Sequence, residues 1–320
     1  MNIDTSFDRN ATLGALTIGV LFSSVLFGVV IVQMYLYFTT FPRDHRLLKG
    51  LVTSVMIMET AHLANMIHVL YTFNIMEYGD PAELGGPAPL SLFIAMILSV
   101  IIGTAVQTFF AYRIKLVSGK WGITIVCWLM TVVRMGTCLA LIVRGFQLPN
   151  LYEFAHEDDT KSLATSMLSI SAGCDIVITG TLCFYLRSQR SDAMKRTART
   201  IDSIIAWSIP TGLANGVAEV TLAICFVCMP TNFIWLGVFT IVARVYSNSL
   251  LASLNTCSVV RAHHLSTITQ TIGNEAYESS SEDIVSNPQV KAAMRIKMTT
   301  LTEVSTDGAF DGRNKSKTSA

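Results

Sequence analysis

Seven apolar stretches, each long enough to cross a bilayer as a helix and separated by short polar connections, constrain this chain more than any other feature. A hydrocarbon core of about 30 Å takes about 20 helical residues to span, and the backbone amides inside it must satisfy one another. The stretches run approximately from Leu13 to Phe38, Leu47 to Phe73, Leu90 to Leu116, Trp121 to Val143, Leu163 to Leu186, Ile201 to Cys228 and Phe233 to Leu254. A composition of 51% hydrophobic and 14% charged residues suits a lipid-embedded bundle better than a soluble core. The expected fold is all-α, an integral membrane bundle of seven transmembrane helices.

Positive charge falls on alternate connections. One side carries Arg43, Arg46, Lys49, Arg113, Lys115, Lys120, Arg187, Arg190, Lys195, Arg196 and Arg199, whereas the other has only Arg9, Arg144 and Lys161. The positive-inside rule makes the first side cytoplasmic, which places the amino terminus outside and the carboxyl terminus inside. The first stretch is too long for a signal peptide and follows Asp4 and Asp8 rather than a basic cluster, so it is expected to stay as an anchor. Tyr35, Tyr37, Phe38, Tyr71, Phe73 and Trp121 sit at the stretch edges, where amphipathic rings favour the headgroup level. The expected organisation is a short extracellular segment, 1–12, a seven-helix domain, 13–254, and a Ser/Thr-rich cytoplasmic tail, 255–320. That tail has too little apolar surface to fold on its own. A plasma membrane and an endomembrane fit equally well.

An ionisable group near the bilayer centre costs about 2.5 to 3.5 kcal/mol even on the insertion scale. Five such residues therefore need a reason: Glu59, Arg134, Asp175, Glu219 and Arg244. Counting about 1.5 Å per residue, all but Glu219 fall in one layer. Glu59, His62, Asn65 and His68 recur at every third position, a polar ribbon expected to face the bundle interior. Pairing of Asp175 with Arg134, and of Arg244 with Glu219 or Glu59, would account for most of this charge. Three carboxylates against two arginines leave one acid to a histidine, water or a proton, and His62 is the nearest companion of Glu59. Glu59, His62, Asn65, Arg134, Asp175, Glu219 and Arg244 thus form a candidate intramembrane polar pocket for a small ligand, solute or proton. Glu and His three apart also occur in di-iron centres, but no matching motif lies on another stretch. No metal or cofactor is expected.

Pro210 interrupts the sixth stretch, with Gly212 and Gly216 just beyond it. This predicts a kink beside a close helix contact and marks a candidate hinge. Six of the seven cysteines lie inside the stretches, where a thiol behaves as a small apolar group. Cys257, just past the last stretch, is a candidate for palmitoylation. In the tail, Ser279, Ser280 and Ser281 sit among Glu278, Glu282 and Asp283, a setting that suits acidophilic kinases. Phosphate there would add negative charge opposite the basic loop 187–199. That loop and the tail form the expected surface for a cytoplasmic partner or for anionic lipid headgroups.

Seven spans with an outer amino terminus invite comparison with G-protein-coupled receptors, but the marks of that family are missing. Ala111-Tyr112-Arg113 has no acid before the arginine, Trp207 and Pro210 are differently spaced, and the last stretch has no NPxxY sequence. It also has no lysine for a retinal Schiff base. Neither a GxGD nor an HExxH motif occurs, so an enzyme is not expected, and nothing points to a nucleic-acid partner. Other marks stand out: Thr12-Leu-Gly-Ala-Leu16, Phe41-Pro42 with Asp44, Phe109-Phe110 and Tyr112-Arg113, Phe146-Gln147, and above all Tyr246-Ser-Asn-Ser-Leu-Leu-Ala-Ser-Leu-Asn255. Through these the chain resembles, over most of residues 13–257, a basidiomycete fungal membrane-protein family that shares the domain of unknown function DUF6534. The resemblance implies a seven-span fungal protein and carries no established activity. The functional expectation is a receptor-like sensor, with a proton-coupled or other small-solute transporter and a non-signalling scaffold as alternatives.

Overall fold

The computed structural model describes residues 10–42, 44–76, 86, 88–149, 151–192 and 195–256, with residues 10, 152, 189–192 and 195–209 described as backbone alone. They form eight α-helices: α1 (Ala15–Thr40), α2 (Arg46–Tyr71), α3 (Leu90–Ser118), α4 (Gly122–Gln147), α5 (Leu151–His156), α6 (Asp158–Asp192), α7 (Lys195–Cys228) and α8 (Ile234–Thr256). No strand occurs among the described residues. All but the six-residue α5 are long and apolar enough to cross a membrane, and they coincide with the seven expected stretches.

Helix limits follow from local chemistry. The turn between α1 and α2 is tied by the buried Tyr37, whose hydroxyl donates to Asp44 Oδ2 at 3.1 Å. Lys49 Nζ donates to the Pro42 carbonyl at 2.6 Å in the same turn. His45 Nδ1 then accepts the Leu47 N–H at 3.2 Å and caps α2, which satisfies one of the orphan donors of the first turn. At the other end of the pair α3–α4, Gly119 terminates α3 with φ of 70°, a left-handed cap that a side chain would penalise.

Two features depart from the sequence reading. The basic segment 187–199 is not an open loop, because α6 continues to Asp192 and α7 resumes at Lys195. Arg, Lys, Gln and Ala favour helix in this stretch, so the helices outlast their apolar parts. The connection after α4 also folds into α5, whose Phe154 is buried with its ring 6.2 Å from that of Phe226.

The helices are enclosed to different degrees. In their apolar stretches 67% of α8 and 56% of α3 is buried, against 22% of α2 and of α7. Helices α8 and α3 therefore form the interior, while α1 and α4 turn Ile18, Leu21, Phe22, Val132, Val133 and Leu139 outward. Helix α6 packs on α3, α4 and α7. Helix α8 runs parallel to α1, since hydrogen bonds join them at sequence offsets of 217 to 222 along their length. Their backbones nearly touch where a Cβ on Gly19 would lie 2.5 Å from Gly237 Cα, the close approach that small residues permit.

Candidate functional site

Helix α8 carries two polar faces. At about 100° per residue, Arg244 and Ser247 lie about 60° apart, whereas Tyr246 lies about 160° from Arg244 and about 100° from Ser247. The first face looks toward α1 and α2 and the second toward α3, α4, α6 and α7. Each gathers a separate group of buried polar side chains.

On the first face Arg244 is fully enclosed and forms an ion pair with Glu59, which is equally buried. Its Nη1 also donates to the Glu59 carbonyl at 3.0 Å and its Nε to Ser23 Oγ at 3.1 Å. His62 Nδ1 lies 3.3 Å from Nη2, and Cζ stands 5.2 Å from the Phe27 ring centre, a cation–π contact. The second Glu59 oxygen accepts from Ser247 Oγ. One carboxylate thus meets one guanidinium with hydrogen bonds around both, the condition under which a buried ion pair is tolerated. Of the two acids that the sequence left open as partners of Arg244, Glu59 is the one in contact. His62 Nε2 is buried with no hydrogen-bond partner.

The second face is built differently. Tyr246, 1% exposed, places its hydroxyl 2.8 Å from Asp175 Oδ2 and 2.8 Å from Glu219 Oε1. Ser171 Oγ lies 3.0 Å from the same hydroxyl. Gln107 Nε2 donates to Asp175 Oδ1 at 2.9 Å, and its Oε1 accepts from Arg134 Nη1 at 3.0 Å. Arg134 Nη1 also donates to Ser171 Oγ at 2.8 Å. The expected Asp175–Arg134 ion pair is therefore not direct. Gln107 stands between them, accepting from the arginine and donating to the acid. The guanidinium fits because α3 offers Gly103, where a Cβ would collide with Arg134 Nη2. Glu219 Oε2 is buried without a hydrogen-bond partner.

The surplus acid is thus located. It lies not beside His62 but in the second group, where Asp175 and Glu219 share one tyrosine and one arginine. Glu59, His62 and Arg244 are brought together, as are Arg134, Asp175 and Glu219, and the interior of α8 separates the two sets. Asn65 joins neither, being half-buried and donating to the Ala61 carbonyl of its own helix at 2.8 Å. His68 leaves the ribbon for Ser91 of α3, 3.0 Å away. Sequence reasoning weighed charge and so passed over Ser23, Gln107 and Ser171, and it treated Tyr246 and Ser247 only as marks of a family resemblance. A search for any polar side chain at mid-helix would have found them.

The rest of the Tyr246 to Asn255 run forms a belt of hydrogen bonds between helices. Along α8, Asn248 Nδ2 donates to the Leu26 carbonyl of α1 at 3.4 Å and Asn255 Nδ2 to the Gln33 carbonyl at 3.0 Å. Ser249 Oγ donates to Asn215 Oδ1 of α7 at 3.0 Å, and Arg113 Nη1 of α3 donates to Ser253 Oγ at 2.6 Å. Of the candidate hinge, Pro210 lies inside the continuous α7. Gly212 makes the expected close contact, because a Cβ there would collide with Thr179 of α6. Gly216 does not, as its missing Cβ would face open space. Cys225 and Cys228 are both free thiols. Cys257 and Ser279, Ser280 and Ser281 lie outside the described residues. No three His, Cys, Asp or Glu side chains converge on one point among the described residues.

Residues 171–258 match the model of a family of unknown function, DUF6534, and this segment contains the Tyr246 to Asn255 run that carries the resemblance. The matched segment holds Ser171, Asp175, Glu219, Arg244, Tyr246 and Ser247, and so both polar faces of α8. No curated protein and no solved structure matches the chain.

Proposed function

We propose that this protein is a seven-span integral membrane sensor, receptor-like in design, whose buried polar groups read a small ligand or ion and whose α8 carries the response to one end of the bundle. The supporting observation is that one helix holds two enclosed ionisable groups on opposite faces and is cross-linked to α1, α3 and α7 beyond them. A change of charge in either group acts on a helix whose far end is already joined to three neighbours. The alternation of basic connections orients that end to the cytoplasm, the side to which the sequence also assigns the basic segment 187–199 and the tail, where a partner or anionic lipid would read it. The orientation, the residence in a plasma membrane or endomembrane and the non-enzymatic character belong to this reading.

The test uses the full chain in lipid nanodiscs and in proteoliposomes. Hydrogen exchange over 249–256 is expected to differ between wild type and Asp175→Asn, with no solute uptake across an imposed pH gradient over a broad panel. Uptake that disappears in Asp175→Asn would make the protein a proton-coupled carrier. That second reading is favoured by the excess of acid around Tyr246. No change in exchange and no uptake would leave a scaffold.

A further inference from the structure

We infer that Asp175 and Glu219 hold one exchangeable proton between them, bridged by the Tyr246 hydroxyl, so that the ligand of the second polar group is a proton. The inference deepens the sensor reading and rests on it for its role, though not for its chemistry. It follows from counting hydrogens. Both carboxyl oxygens lie 2.8 Å from one phenol oxygen, yet a tyrosine has one hydroxyl proton to donate. With both acids ionised, one of these contacts would press two oxygens together with no hydrogen between them. Such a buried and uncompensated contact costs the desolvation of the group left unpaired.

The other donors do not repair the deficit. Gln107 Nε2 serves Asp175 Oδ1, on the far side of that carboxyl, and reaches the phenol oxygen at 3.2 Å. Ser171 accepts from Arg134 and keeps one proton to donate, but given to the phenol oxygen that proton adds no hydrogen between Tyr246 and either carboxylate. Arg134 Nη1 is directed to Gln107 and Ser171. One further proton completes the chain: Glu219 donates to Tyr246, and Tyr246 donates to Asp175. This order is preferred because Asp175 also accepts from Gln107, whereas Glu219 Oε2 has no donor. The proton also balances charge. Facing the pair are Gln107 from α3, Arg134 from α4 and Tyr246 from α8, with the thiols of Cys127, Cys138 and Cys174 nearby. Arg134 neutralises one carboxylate and the proton neutralises the other, so no net charge is buried. The first group reaches the same balance with Glu59 and Arg244 alone.

Infrared spectroscopy of the full chain in a detergent without ester carbonyls tests this at neutral pH, where water-exposed carboxyls are ionised. A carboxylic-acid carbonyl band that shifts in heavy water is expected in wild type. It should vanish in Glu219→Gln and also in Asp175→Asn, because removing either acid leaves a single carboxylate for Arg134. Thermal unfolding establishes that each variant folds, and either one alone suffices. A wild type without the band, a band that survives in a folded variant, or a band erased by added sodium would overturn the inference, the last in favour of a cation site. A confirmed band with unaltered hydrogen exchange over 249–256 in Glu219→Gln would retain the proton and defeat the sensor reading instead.

Discussion

The two faces of α8 bury similar chemistry under different arithmetic. Toward α1 and α2, one acid meets one arginine in direct contact. Toward α3, α4, α6 and α7, two acids meet one arginine that touches neither, with Gln107, Ser171 and Tyr246 filling the space between. A matched pair is closed, because any gain or loss of charge leaves an ion unpaired in the interior. The unmatched group has two arrangements within reach that differ by one proton or cation. Burial alone therefore does not mark a responsive site; stoichiometry does.

The difference is tested most severely at Arg244. Substitution by methionine leaves Glu59 buried without its cation, and loss of one partner of such a pair costs roughly 3 to 5 kcal/mol. The double variant Glu59→Leu, Arg244→Met should recover most of that loss, since apolar replacement of both members is often neutral or stabilising. Thermal unfolding in nanodiscs reads both. A double variant as unstable as the single one would show that the pair does more than hold helices together. On the other face, Gly103→Ala should cost about 1 to 3 kcal/mol by overpacking, because the added methyl meets the Arg134 guanidinium. Unchanged stability there would mean that Arg134 has a second resting place.

A milder contrast follows from Glu219→Gln. The amide keeps the shape and can donate to Tyr246, so the stability change should stay below about 1 kcal/mol, near the average for a hydrogen bond between membrane helices. Glu59→Gln, chemically the same change, should cost several times more, because Arg244 then loses its anion. Equal losses at the two sites would abolish the distinction between a closed pair and an open group.

Much of this arrangement was legible in the chain. Apolar length located all seven long helices, and the five ionisable residues that lie within them are all buried. What periodicity could not supply was the register between helices, which decides that Arg244 meets Glu59 and that Arg134 reaches Asp175 only through Gln107. Gln107, Ser171 and Ser23 are neutral and raise no alarm on a scale of insertion cost. Their importance comes from the charged groups they touch. Gly103 is likewise invisible alone, because it is the space opposite an arginine on the next helix. The helical backbone of 187–192 and 195–199 was missed for the opposite reason: charge was taken to end the helix, when it ends only the apolar part.

The smallest expected effect concerns the belt that joins α8 to its neighbours, where Asn255→Ala removes one hydrogen bond to the Gln33 carbonyl. Side-chain hydrogen bonds between membrane helices average about 0.6 kcal/mol, so unfolding should shift only slightly. The Gln33 carbonyl still accepts a backbone hydrogen bond inside α1, which limits the penalty further. Yet this contact ties the far end of α8 to α1, the neighbour shared with the closed pair, whereas Ser249 ties it to α7, the helix of Glu219. If α8 transmits a change from the open group, Asn255→Ala should raise hydrogen exchange at 249–256 in wild type and reduce its difference from Glu219→Gln. An unaltered difference would place the response on the α7 side, through Ser249 and Asn215, with the α1 side serving as a fixed anchor.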